Sequence, residues 1–149
     1  MFAQIKFLRS LPNSKIPTKG TTGAAGFDLV SADVKLEGNV YVVNTGLRTS
    51  FPEGYVLLVY PRSGLARRLG LHLVNGVGVI DSDYRGDIQL MMRSSELDVS
   101  TNEIMQALSP GSRVAQAILT PLPLVEWTEV STLDDSVRGT GGFGSTGEH

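Results

Sequence analysis

The sequence predicts an all-β protein of the sandwich or barrel kind, on three observations. Short runs rich in Val, Leu, Ile and aromatic residues recur along the chain, turn residues separate them, and only one stretch carries a convincing helical pattern. The expected strands, in order, are Ala3 to Leu8, Phe27 to Ser31, Val40 to Val43, Leu47 to Phe51, Gly54 to Tyr60, Val77 to Ile80, Asp87 to Met92, Arg113 to Thr120 and Val125 to Val130. Turns are expected at Pro12-Asn13, Glu37-Gly38, Pro52-Glu53-Gly54 and Pro110-Gly111, whose residue types preset or permit turn dihedrals. The helix spans Ser63 to Leu69, with Ser63 as N-cap and Gly70 as its stop. Glu96 to Gln106 holds a capping-like Ser100-Thr101-Asn102-Glu103 but no sustained apolar stripe, which predicts a loop with one helical turn at most.

A length of 149 residues fits one domain. Thirteen basic against 15 acidic residues, a formal charge of −2, is the wrong balance for clamping duplex nucleic acid through many phosphates. The longest apolar run, Tyr55 to Tyr60, is far short of the ~20 residues that span a bilayer, so no membrane association is expected. The opening MFAQIKFLRS lacks the apolar stretch and cleavage site of a signal peptide. A cytoplasmic location is the corresponding expectation, or the host cytoplasm for a viral source.

The scarce residues exclude more chemistry. With no cysteine, disulfides, thiolate zinc sites, iron–sulfur clusters and thiol nucleophiles are ruled out. The two histidines are His72 and His149, so a catalytic triad would hang on His72, which Leu71-His72-Leu73-Val74 marks as a strand or packing residue. An enzyme built from this chain would use a carboxylate as base. Arg, backbone N–H groups or a hard cation such as Mg²⁺ would serve as electrophiles.

From Asp134 the sequence reads DDSVRGTGGFGSTGEH, with five glycines and Phe143 as its one large apolar side chain. Alone, such a segment cannot offset its chain entropy and is expected to be a mobile tail. Arg138 and Phe143 on a glycine framework are nonetheless suited to gripping a flat, charged ligand: a fork for phosphate, a stacking face, and close backbone N–H groups. Gly139-x-Gly141-x-x-Gly144 fits a dinucleotide-binding expression only weakly, because no strand–helix unit surrounds it, and no Lys follows to make a Walker A loop.

Further such pieces lie mid-chain. Pro61-Arg62-Ser63-Gly64-Leu65-Ala66 follows a strand and opens the helix, placing a cation, a hydroxyl and free N–H groups together. Asn75-Gly76-Val77-Gly78-Val79-Ile80-Asp81-Ser82-Asp83-Tyr84-Arg85-Gly86-Asp87 packs three carboxylates, an amide and a tyrosine around glycines, as a hairpin would. Asp83 is equally well read as a turn former.

Taken together these segments resemble the trimeric dUTPase family, the deoxyuridine triphosphate nucleotidohydrolases. Five motifs stand in order: Ala25 to Leu29, Arg62 to Ala66, Asn75 to Asp87, Gly111 to Gln116 and Arg138 to Gly147. The resemblance implies a jelly-roll-like protomer with a core over 1–133 and a C-terminal lid over 134–149. It also implies a homotrimer with active sites at subunit interfaces, and Mg²⁺-dependent hydrolysis of dUTP to dUMP and pyrophosphate. Such an activity keeps uracil out of DNA and supplies dUMP for thymidylate synthesis.

By the same resemblance, Asp81 is the general base that activates water and touches the 3′-OH, and Tyr84 stacks under the sugar, leaving no space for a 2′-OH. Asn75, with Gly78 and the backbone of Val79 and Ile80, reads the uracil edge. Arg62, Ser63, Gly64 and Gln116 hold the phosphates. Asp28 binds the water shell of Mg²⁺, itself held mainly by the triphosphate, or steadies the phosphate site. Arg138, Gly144, Ser145 and Thr146 grip the γ-phosphate while Phe143 stacks on uracil.

The stretch Arg93 to Pro110 is longer than the family's usual connection, either a harmless surface insertion or a protein-contact loop. Whether Gln89 meets the nucleotide is left open. The rival readings are a dCTP deaminase-like enzyme, which the tail motif opposes, and a nucleotide-dependent interaction protein on the same fold.

Overall fold

The computed structural model describes residues 3–142. Among these, ten strands and two short helices follow one another. The strands are β1 (Lys6–Arg9), β2 (Phe27–Val30), β3 (Asp33–Glu37), β4 (Val40–Asn44), β5 (Leu47–Ser50), β6 (Tyr55–Pro61), β7 (Leu71–Leu73), β8 (Gly78–Ile80), β9 (Gln89–Ser94) and β10 (Arg113–Pro121). The helices are α1 (Ser63–Leu69) and α2 (Thr101–Ala107). All strand pairings are antiparallel. They form two four-stranded sheets, ordered β2-β10-β6-β8 and β3-β4-β9-β7, and a β1-β5 pair.

Alternation explains the packing. Along β4 and β9 every second residue turns inward, so Tyr41, Val43, Leu90 and Met92 are buried while Gln89, Met91 and Arg93 face out. They meet Leu29, Leu57, Val59 and Ala117 of the other sheet in one core cluster, giving the jelly-roll-like sandwich expected from the sequence. No helix among the described residues is long and apolar enough to cross a membrane.

The structure corrects four sequence readings. Ser63 is the first helical residue rather than the cap: Arg62 takes the N-cap position with extended φ −89° and ψ 131°, and no side chain caps the helix. Gly70 does stop it, at φ 59°, a left-handed conformation that costs glycine least. The 96–106 segment contains a two-turn helix, α2, because Ser100 accepts the Glu103 N–H at 3.2 Å and because Ile104 and Leu108 bury themselves in the core. Two buried contacts were enough without the sustained apolar stripe whose absence predicted a loop, and they make the long connection part of the packed body. Two strands beyond the expected set appear, β3 at a sheet edge and the three-residue β7 that carries His72, whose Nδ1 lies 3.0 Å from the Gly70 carbonyl.

The fourth correction concerns Val125 to Val130. These residues pair with no strand among the described residues and run on from β10 with Leu124, Val125, Trp127 and Val130 exposed. An apolar run forms a strand only where a sheet edge is offered to it, and this protomer offers none there.

Candidate active site

Two neighbourhoods gather the motif residues. The first lies where β2, β10 and the β6–α1 junction meet. Asp28 and Gln116 are register partners, and Gln116 also faces Tyr60 across β6. A β-bulge between Arg113 and Ala115 inserts one residue into β10, which leaves Val114 and Ala115 both buried and brings Arg113 onto the face of Gln116 and Asp28. Asp28 therefore receives two guanidiniums: Arg62 Nε at 3.2 Å on one carboxylate oxygen and Arg113 Nη1 at 3.0 Å on the other. Arg62 Nη1 donates to the Arg113 carbonyl at 3.2 Å, and Gln116 Nε2 donates to the Pro61 carbonyl at 3.3 Å.

The result is a cationic cradle in which one carboxylate organises two arginines, leaving a net positive charge. Ser63 and Gly64 stand beside it, exposed in the first turn of α1, where no intrahelical carbonyl reaches their N–H groups. Charge-assisted forks and free backbone N–H groups are the donors that phosphate oxygens take. Arg113 lies inside the fourth motif but was assigned no role from sequence; only the bulge reveals that it shares this face.

The second neighbourhood is the 75–87 segment. Asn75 closes its turn by donating from Nδ2 to the Val77 carbonyl at 3.2 Å, and β8 then pairs with β6 through Val59↔Gly78 and Leu58↔Val79. Gly78 allows that close approach, because a Cβ there would lie 3.0 Å from Val59 Cβ. A narrow cleft runs between the turn and β9, lined by Val59, Leu73, Asn75, Gly78, Ile80 and Gln89. A second cleft of about 150 Å³ is lined by Val79, Ile80, Asp81, Tyr84, Asp87 and Gln89. Ile80 and Gln89 border both clefts. Asp83 is exposed, in keeping with a turn former.

The carboxylates differ. Arg48, hydrogen-bonded to Asp87, holds that carboxyl below the usual range despite its partial burial, with help from Asn44. Arg138 is exposed within a local turn, where Gly139 N–H reaches the Ser136 carbonyl at 3.0 Å and Gly141 N–H the Arg138 carbonyl at 3.1 Å. The expected ligands Phe143, Gly144, Ser145 and Thr146 lie outside the described residues.

The dUTPase family model matches residues 12–147, a span that takes in both neighbourhoods and all five motifs. This chain belongs to the dUTPase family. It is 39% identical to the deoxyuridine 5′-triphosphate nucleotidohydrolase of Wolinella succinogenes, over 97% of this chain and 95% of that relative. Among solved structures, a variant of the Staphylococcus bacteriophage 80alpha dUTPase with dUpNHpp aligns at a TM-score of 0.80 and 24% identity, covering 97% of this chain and 98% of that one. The dUTPase of phage phi11 of S. aureus, described with a structural Mg(II) ion, aligns at 0.72 and 23% identity, over 89% of this chain and 99% of that one. At these identities the two phage proteins speak for the fold of this dUTPase-family chain.

Proposed function

We propose that this dUTPase-family chain hydrolyses dUTP to dUMP and pyrophosphate, with Asp81 as general base. The observation that carries the reading is a pair of adjacent clefts that share Ile80 and Gln89: a carboxylate, a tyrosine and the backbone of the Asn75–Ile80 turn line them, inside a family match that spans the motifs. The expected hairpin is instead a turn between two sheets, because β7 pairs with β9 and β8 with β6. The pyrimidine is placed against this Asn75–Ile80 turn, whose backbone donors and acceptors would pair with the uracil edge. The amino group of cytosine would leave such groups buried and unpaired, a mismatch that costs ~10⁴-fold or more in discrimination. A 5-methyl group is worth only ~1–3 kcal/mol by attraction, so thymine is rejected by the tightness of the turn, which Gly78 lets pack closely on β6. Tyr84 lies under the sugar, against the 2′ position.

Hydrolysis of the anhydride between the α- and β-phosphates needs a water proton taken and charge stabilised. Asp81 accepts the proton as the new P–O bond forms, and pyrophosphate leaves with the bonding pair. Arg62, with Ser63, Gly64 and Gln116, holds the phosphates, and Arg113 joins this set. Arg138, Phe143, Gly144, Ser145 and Thr146 close over the nucleotide as the 134–149 lid, expelling other water.

As a direct metal ligand Asp28 does not fit, because each of its oxygens is ion-paired to an arginine. Among the described residues no cluster of three metal-ligating side chains exists. The cradle supports a role for Asp28 in steadying the phosphate site, and its part toward Mg²⁺, which enters on the triphosphate as part of the substrate, would be through the ion's water shell.

A homotrimer with interface sites is part of this proposal, supported by what the protomer leaves uncovered. The 122–133 arm exposes Leu124, Trp127 and Leu133, and an apolar cleft of about 310 Å³ opens between Ile5, Phe7, Ile16, Phe27 and Leu119. Surfaces of this kind are stabilised by burial against another chain.

The test is pyrophosphate release from dUTP, dCTP, dTTP and UTP, with Mg²⁺ and with EDTA, for the native chain and Asp81→Asn. Release from dUTP alone, abolished by EDTA and falling ~10²- to 10⁴-fold in Asp81→Asn with nucleotide binding retained, is the expected outcome. Ammonia release from dCTP, or undiminished turnover by Asp81→Asn, would overturn it.

A further inference from the structure

The loop that carries Asp81 and Tyr84, residues 81–87, is fastened to β5 at its C-terminal end by two arginines, one from each side. From the loop, Arg85 Nη1 reaches the Thr49 carbonyl at 3.3 Å and folds back on the carbonyls of Ser82 at 2.7 Å and Tyr84 at 2.9 Å. From β5, Arg48 Nε donates to Asp87 Oδ1 at 2.7 Å. The other Asp87 oxygen accepts Asn44 Nδ2 at 3.1 Å, and Asn44 is itself anchored by accepting the Gly46 N–H at 2.7 Å. The Asp87 side chain is only 17% exposed, so this carboxylate is a fixed point rather than a solvated one.

What the fixed point holds is the backbone beneath the tyrosine. The Tyr84 hydroxyl donates to the Asp87 carbonyl at 3.2 Å. Gly86 lies between, and a Cβ there would collide with the Tyr84 hydroxyl and ring. The Tyr84 hydroxyl therefore rests on the 87–88 peptide, with Gly86 against the ring, and the place of that peptide is held by the Asp87 side chain. Asp87 and Tyr84 line one cleft, so a shift of this peptide moves the cleft wall directly.

We infer that the Arg48–Asp87 ion pair, braced by Asn44, is a positioning latch for sugar selection: it fixes the Tyr84 ring at the height that admits a deoxyribose and excludes a 2′-hydroxyl. Neither Arg48 nor Asp87 touches substrate in this account; both act through Tyr84. The inference rests on the reading of Tyr84 given under Proposed function, and the test separates the two.

The kcat/KM for dUTP and for UTP is measured on the full-length native chain, Arg48→Ala, Asp87→Ala and the double variant, with a thermal melt of each. Sub-ångström misplacement of a positioning group is enough to change reactivity, and each single variant is expected to lower the dUTP-to-UTP ratio about five- to tenfold. The double variant is expected to lower it no further than the larger single effect, because both residues serve one latch. A merely structural pair would depress both substrates together and leave the ratio unchanged, which would overturn the latch. Arg48 is half exposed, so Arg48→Ala decides the matter even where Asp87→Ala fails to fold. A native chain that turns over UTP as well as dUTP overturns the reading of Tyr84 and the latch with it. A native chain that discriminates, beside an Arg48→Ala that discriminates equally, overturns the latch alone.

Discussion

The cradle around Asp28 and the arm that begins at Leu122 are opposite solutions within one chain. In the cradle, the side chains of Asp28, Arg62, Arg113 and Gln116 each meet a partner supplied by the same protomer, and three strands fix their positions. In the arm, Leu124, Trp127, Leu133 and Val137 are almost wholly exposed, and the hydrogen bonds among residues 134–142 are local. Preorganised donors stabilise developing charge without reorganising at the moment of reaction. An arm that is ordered only on closing costs conformational entropy each time, and in return controls access and water. The contrast is between a preorganised set of charges within the protomer and an exposed stretch that leads to the proposed 134–149 lid.

The sharpest way to break the contrast is to remove the lid and keep the site. Truncation after Val137 is expected to leave the melting temperature and the trimer mass by light scattering unchanged while kcat/KM for dUTP falls more than about tenfold, because closure and its oriented ligands are lost. Equal turnover would mean that the cradle acts without a lid.

A smaller effect is expected within the cradle. Arg113→Ala removes one of the two guanidiniums on Asp28 and one phosphate donor, and charge-assisted bonds of this kind are worth ~1.5–3 kcal/mol. The KM for dUTP is expected to rise about tenfold with kcat less affected, consistent with ~1.4 kcal/mol of lost ground-state binding. An unchanged KM would take Arg113 out of the phosphate set.

The smallest effect is on stability, at Asp87. Its pKa is held down by the Arg48 hydrogen bond. A carboxylate whose folded pKa is depressed contributes stability that is fully present above its unfolded pKa of ~3.9 and is lost as pH falls through the lowered folded value. The urea midpoint of the native chain is therefore expected to exceed that of Asp87→Asn at neutral pH, with the gap closing only well below pH ~4. A gap independent of pH would show that the ionised form is not what the fold favours.

Periodicity and turn chemistry made the eight strands from β1, β2, β4, β5, β6, β8, β9 and β10 legible, as they did α1, whose bounds and glycine stop need only local information. What escaped them was decided at a distance. β3 alternates Asp, Val, Lys, Leu and Glu at a sheet edge, where half its residues face water and the apolar signal is weak. α2 exists because Ile104 and Leu108 find the core, which a window centred on polar residues does not show. Val125 to Val130 has a strand's composition and no edge to join within the protomer.

By itself the sequence determined which chemistry was available: no thiol, no histidine cluster, and carboxylates, arginines and glycines in five ordered groups that carried the family reading. Tertiary structure alone decided which of those groups lie together. A single-residue bulge in β10 turned Arg113 toward Asp28, and the pairing of β6 with β8 opposite β9 set Gln89 between two clefts. Side chains alternate with a period of two along a strand, so one inserted residue reverses every face beyond it, and such an insertion is visible only once its partner strand is in place.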